Sequence, residues 1–146
     1  MDLVIGNFLN HHFFTAKKQI KQFIKMPETS NEKPYDLEER TFQFAKKVRL
    51  FVKTLPKTIA NIDDGRQLVR ASGSVGANYR EANESLSKKD FLMRIKISRK
   101  EAKESAYWLR LIQETNSLNN GDNALGLIYE AIELKKILSS ILEKSK

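Results

Sequence analysis

Residues 66–111 read RQLVRASGSVGANYREANESLSKKDFLMRIKISRKEAKESAYWLRL, and their division into two helices joined at Ser85-Leu86-Ser87 decides the fold. The first half is small: Ala71, Ser72, Gly73, Ser74, Gly76 and Ala77 lie close together. A glycine inside a helix costs about 1 kcal/mol against alanine, so two of them require a packing reason. The expected reason is a neighbouring backbone in close approach. The second half is long and basic, with Lys or Arg at 88, 89, 94, 96, 99, 100, 103 and 110. One helix is built for contact and the other for charge.

At 100° per residue, the basic helix carries three sectors. Phe91, Ile95, Ser98, Ala102, Ser105 and Leu109 form one stripe, the expected core face. Met93, Ile97, Trp108 and Leu111 form a second apolar stripe well to one side. A helix of an isolated bundle needs only one such face, so the second is expected to bury against another subunit. Lys89, Lys96, Lys100, Lys103 and Arg110 fill the remaining sector, with Tyr107 among them. Across 88–110, eight basic and three acidic residues give a net charge of +5. Such a stripe is what phosphate-backbone contacts require. A solvated helix face also carries lysines, and that is the competing reading.

The preceding helix is expected to bury Leu68, Ser72, Val75, Tyr79 and Ala82. Arg70, Ser74, Asn78 and Glu81 line a neighbouring strip, read as a structural polar network that fixes how helices or subunits meet. Before it, Leu37, Thr41, Phe44, Val48, Phe51 and Leu55 follow a 4-3-4-3-4 spacing, the apolar seam of a bundle helix. Asp36 with Glu39 three residues on gives it a capping signal, and Pro56 ends it. Residues 57–65 then read as a connection, with Asp63 or Asp64 as the next cap. The last helix follows the breaker Asn119-Asn120-Gly121-Asp122, with Leu127, Ala131, Leu134, Leu138 and Ile141 as its seam and Ile128 and Ile132 broadening it.

Residues 1–34 stand apart from this bundle domain, which covers 35–146. Leu9, Phe13, Ala16, Ile20 and Phe23 share one helical face, with Lys17, Lys18, Lys21 and Lys25 mostly opposite. This is an extra N-terminal amphipathic helix, expected to cover a core edge or oligomer surface, with a membrane-surface role the lesser reading. The stretch PETSNEKP at 27–34 is a linker.

Composition narrows the function classes. The chain has 146 residues, 40% of them hydrophobic and 30% charged, which suits one domain of an ordinary soluble protein. With no cysteine, neither a disulfide framework nor a thiolate metal site is possible, and a cytoplasmic location is expected. The net charge of +8 favours polyanionic partners, nucleic acid before anionic membrane, although solubility alone would also use it. No apolar run reaches the length of a bilayer span. His11 and His12 are adjacent and point about 100° apart on a helix, so they do not make a metal site. No GKS or GKT follows the glycines, no Glu-x-x-His pair marks a di-iron bundle, and Glu101 and Glu104 read as ion-pair partners of Arg70 or Arg80. No cofactor, metal or catalytic residue is expected.

The strings SGSVGANYREAN and SKKDFLMRIKISRKEAKESAYWL resemble the small bacterial four-helix bundle family encoded by intervening sequences in large-subunit ribosomal RNA genes. Its specific part is Ala77-Asn78-Tyr79-x-Glu81-Ala82, then Ser87-Lys88-Lys89-Asp90-Phe91 and Tyr107-Trp108-Leu109, and the likeness spans about residues 35–145. Accessory variability proteins of diversity-generating retroelements, which act beside a reverse transcriptase, share that fold. The resemblance implies a pentameric ring and no particular reaction. Together these readings predict an all-α, up-down-up-down antiparallel four-helix bundle with an extra N-terminal helix. The expected protein is a non-catalytic homo-oligomer that binds RNA or DNA through the basic face of its third helix. The alternative is a structural or adaptor oligomer that binds another protein and no nucleic acid.

Overall fold

A computed structural model describes residues 36–118 and 124–146; the expected N-terminal helix, its linker and the Asn119-Asn120-Gly121-Asp122 turn lie outside the described residues. Four helices follow in order: α1 (Leu37–Lys53), α2 (Ile59–Asn83), α3 (Lys88–Thr115) and α4 (Ala124–Lys144). Each packs on the next, and α1 meets α4 to close a four-helix bundle.

The alternation of direction is visible in the contacts. Thr41 of α1 lies against Gly76 of α2 and Val52 against Gly65, so one helix descends as the other rises. The same holds across α2 and α3, where Arg94 donates to Asn78 and Ser98 donates to the Val75 carbonyl. The up-down-up-down antiparallel bundle expected from the sequence is the observed fold.

The apolar seams are buried where their spacing put them. Leu37, Thr41, Phe44, Val48, Phe51 and Leu55 are all inside, as are Leu68, Val75, Tyr79 and Ala82 of α2 and Phe91, Ile95, Ala102 and Leu109 of α3. Leu127, Ala131, Leu134, Leu138 and Ile141 complete the core from α4. Four of the predicted core positions are small hydroxyls, and each has a partner; Ser72 Oγ donates to the Val69 carbonyl. Thr41 Oγ1 donates to the Leu37 and Glu38 carbonyls, Ser105 Oγ to the Glu101 carbonyl, and Ser98 Oγ reaches across to the Val75 carbonyl at 2.7 Å. Among the described residues no buried side-chain nitrogen or oxygen lacks a hydrogen bond, as a stable interior demands.

Helix starts are set by side-chain caps. Asp36 accepts from the Glu38 and Glu39 amides, and Ser87 accepts from the Asp90 amide. Glu39 instead takes a hydrogen bond from Gln43. The expected start of α2 needs correction. Its cap is Thr58, whose hydroxyl accepts from the Asn61 amide, and Asp63 and Asp64 lie within the helix rather than before it. The reason is long-range: Asn61 and Asn116 exchange both amide hydrogen bonds at 2.8 Å, and Asn61 also donates to the Pro56 carbonyl. That amide pair fastens the first turn of α2 to the end of α3.

The two glycines of the small-residue stretch of α2, Gly73 and Gly76, divide. A Cβ on Gly76 would stand 2.9 Å from Thr41 Oγ1 and 3.2 Å from Thr41 Cβ, so the absence of a side chain lets α1 approach. On Gly73 it would meet only the guanidinium of Arg49, the movable end of a long side chain. The close-approach expectation holds for Gly76 and fails for Gly73.

Candidate nucleic-acid interface

α3 is 28 residues long, about 42 Å at 1.5 Å per residue, and its inner stripe is fixed in the core. That burial determines where the other sectors point. Lys89, Lys96, Lys100, Lys103 and Arg110 are all exposed. None of the four lysines forms an ion pair within 4 Å among the described residues, whereas Arg110 pairs with Glu114 at 3.1 Å. The face therefore presents ammonium groups held in no close ion pair, Lys100 being the one whose charge acts on a neighbouring carboxylate, Glu101.

Tyr107 lies in this sector, 58% exposed, with its ring set edge-on to Trp108 at 4.9 Å and 74°. Trp108 is half-buried, packs against the core and donates its indole N–H to Glu104 Oε1 at 3.2 Å. The second apolar stripe is thus divided between the chain's own core and solvent. Met93 is 48% exposed, while Ile97, Trp108 and Leu111 are each half-buried. The sequence treats these four as one free face; here the indole is partly spent inside the protomer.

The polar strip of α2 is also arranged differently from a four-member network. Asn78 donates to the Ser74 backbone carbonyl and accepts from Arg94 at 3.4 Å, and Arg94 lies 3.8 Å from Asp90. Arg70 and Glu81 are exposed. Arg80 pairs with Glu38 of α1 at 3.6 Å, leaving Glu101 and Glu104 without it. Asn78 faces α3 through Arg94, and the charge of Arg70 acts on Glu101 of that same helix, α3.

Burial raises the pKa of Glu101, the neighbouring Glu104 raises it further, and Lys100 and Arg70 oppose the shift. A carboxylic acid whose folded pKa lies above its unfolded value binds more protons when folded. Its penalty is absent in acid and grows as pH rises through the raised folded pKa. Glu101→Gln is therefore expected to stabilise the protein slightly at neutral pH and leave its stability unchanged in acid. Urea unfolding at pH 4 and pH 7 checks this; equal or opposite effects at the two pH values would contradict it.

A second basic set, absent from the sequence reading, occupies the outer side of α1. Lys46, Lys47, Arg49 and Lys53 are exposed, and the string KKVR at 46–49 was its signal. α1 and α3 sit diagonally in the bundle, each packed between α2 and α4, so the two sets form separate patches. Between α1 and α4 runs an open groove of about 450 Å³ lined by Phe44, Leu50, Leu127 and Gly126 and crossed by the Arg40–Glu130 pair at 2.6 Å. Arg40 and Glu130 are paired with each other, and Lys47 is the remaining charged group of its lining. Among the described residues there is no group of three or more His, Cys, Asp or Glu that could hold a metal, and no helix long and apolar enough to cross a membrane.

The family model described as 23S rRNA-intervening sequence protein matches residues 33–140. The chain is also similar to a crystal structure of a protein with unknown function from the S23 ribosomal protein family of Bacteroides thetaiotaomicron. They are 28% identical, with a TM-score of 0.63, over 73% of this chain and 94% of that one. No curated protein matches.

Proposed function

This chain belongs to the 23S rRNA-intervening sequence protein family, and we propose that it is a non-catalytic, oligomeric accessory protein that binds nucleic acid through the outer face of α3. The single observation that carries this reading is the row of unpaired, exposed lysines at 89, 96, 100 and 103. A helix face meant only for solubility gains from carboxylates interleaved at i+3 and i+4, as at Arg110–Glu114 and Lys136–Glu133 elsewhere in this chain. Lys89, Lys96 and Lys103 have no carboxylate at those spacings, and Glu104, four residues after Lys100, accepts from the Trp108 N–H instead. Contacts of this kind hold phosphates and read little sequence.

The oligomer part of the proposal rests on Met93, Ile97, Trp108 and Leu111, an apolar strip beside the lysines that the protomer covers incompletely. Joining copies at this strip repeats the basic row around the assembly and strengthens its field. On this reading the protein works in the cytoplasm, has no cofactor, and needs no membrane. Exposed apolar side chains away from α3, among them Phe42 and Leu50 on α1 and Tyr129 on α4, favour the adaptor alternative, in which the partner is another protein.

Fluorescence anisotropy with single-stranded RNA, structured RNA and duplex DNA at low salt tests the two readings against each other. Salt-sensitive binding to at least one is the expected result. No binding to any of them would end the nucleic-acid reading and leave the adaptor.

A further inference from the structure

Resting on the reading of α3 as a nucleic-acid face, we propose that Tyr107 is a base-stacking platform that directs this face to single-stranded nucleic acid. Three features of the ring carry the inference. It is more than half exposed, on a helix whose apolar residues otherwise turn inward or to the side. Its orientation is supported, because it stands edge-on against Trp108, whose indole is itself held by Glu104 and the core. And it has a cationic residue on each side along the helix: Lys103 four residues before and Arg110 three after, positions that are neighbours on one helical face.

The other exposed aromatics among the described residues lack that setting. Phe42 on α1 has Glu38 and Glu39 a turn before it and Lys46 a turn after. Tyr129 on α4 has Leu125 and Gly126 before it and Ile132 and Glu133 after, with no basic residue at either spacing. Glu104, the one carboxylate beside Tyr107, is engaged by the Trp108 N–H.

An aromatic ring between cations matches an unpaired nucleotide: the base stacks on the ring while the phosphates on either side meet ammonium or guanidinium groups. A duplex does not offer this, since its bases are already stacked inside and only its phosphates reach a convex helix. Prior support of the ring by Trp108 lowers the ordering cost of the contact. The preference is thus for strand state, with either sugar accepted and little sequence discrimination.

The test uses the full chain with an unstructured single-stranded RNA, a single-stranded DNA of the same sequence, and a duplex DNA of equal length. Tyr107→Leu is expected to weaken binding to both single strands roughly 5- to 100-fold, the range for one lost base stack, and to leave duplex binding and the salt slope unchanged. Tyr107→Phe keeps the ring and is expected to bind like the parent protein. Trp108 is the single tryptophan, so its emission reports the site directly: single strands should change it and duplex should not. This second readout needs no substitution. Equal loss on single strands and duplex, or no loss on any, overturns the stacking role while leaving the lysine face intact. If the parent protein binds none of the three, the wider reading and this one fall together.

Discussion

Gly76→Ala should destabilise the bundle by about 1–3 kcal/mol, although alanine is the better helix former. The added Cβ would lie 2.9 Å from Thr41 Oγ1, and Thr41 cannot move aside easily. Its side chain is fully buried and its hydroxyl is committed to two carbonyls of the first turn of α1. Displacing it shifts α1 from α2 along the whole seam. Gly73→Ala, three residues earlier, has the opposite sign: only the Arg49 guanidinium must swing away, so the helix gains up to about 1 kcal/mol of propensity. Denaturant unfolding of the two variants decides the matter. The double variant Thr41→Ala with Gly76→Ala should be less destabilised than the sum of its parts, because the two residues meet. Equal stabilities for the two single glycine variants would mean that the α1–α2 approach is not set by Gly76.

The second large effect concerns binding. Lys100→Gln with Lys103→Gln should weaken nucleic-acid affinity roughly 25- to 60-fold near 0.1 M salt and make the log–log salt slope shallower by about 1.4–1.8. The loss should be uniform across sequences, because these lysines meet phosphates and not base edges. Both side chains are exposed and outside the core, so thermal stability should stay within about 0.5 kcal/mol of the parent. Affinity unchanged by this pair would move the interface elsewhere, with the outer side of α1 the next candidate.

The sequence reveals the bundle because each helix buries one continuous face, and Leu37 to Leu55 or Leu127 to Ile141 then repeat at intervals of three and four. The beginning of α2 is hidden for a physical reason. Residues 59–65 bury no large apolar side chain and expose Ile59 and Ile62, and an Asp-Asp-Gly string there has the composition of a turn. What holds it helical is the exchange of hydrogen bonds between Asn61 and Asn116, 55 residues apart, and no local pattern announces that. The exposure of the lysine row follows from the core stripe opposite it and could be read in advance. The fate of Trp108 could not: one face of the indole packs inward and its N–H finds Glu104, a choice that depends on rotamers and not on spacing. Proximity along α2 groups Arg70 and Glu81 with Ser74 and Asn78, whereas of the four Asn78 is the one that meets Arg94.

The central claim is that nucleic acid lies along α3. Ultraviolet crosslinking of a uridine-containing RNA to the full chain, followed by mass spectrometry of the peptides, locates the contact without any substitution. Adducts on residues 96–110, centred on the row of Lys96, Lys100, Lys103 and Tyr107, are the predicted result. Adducts confined to residues 46–53 of α1, with none on α3, would contradict it.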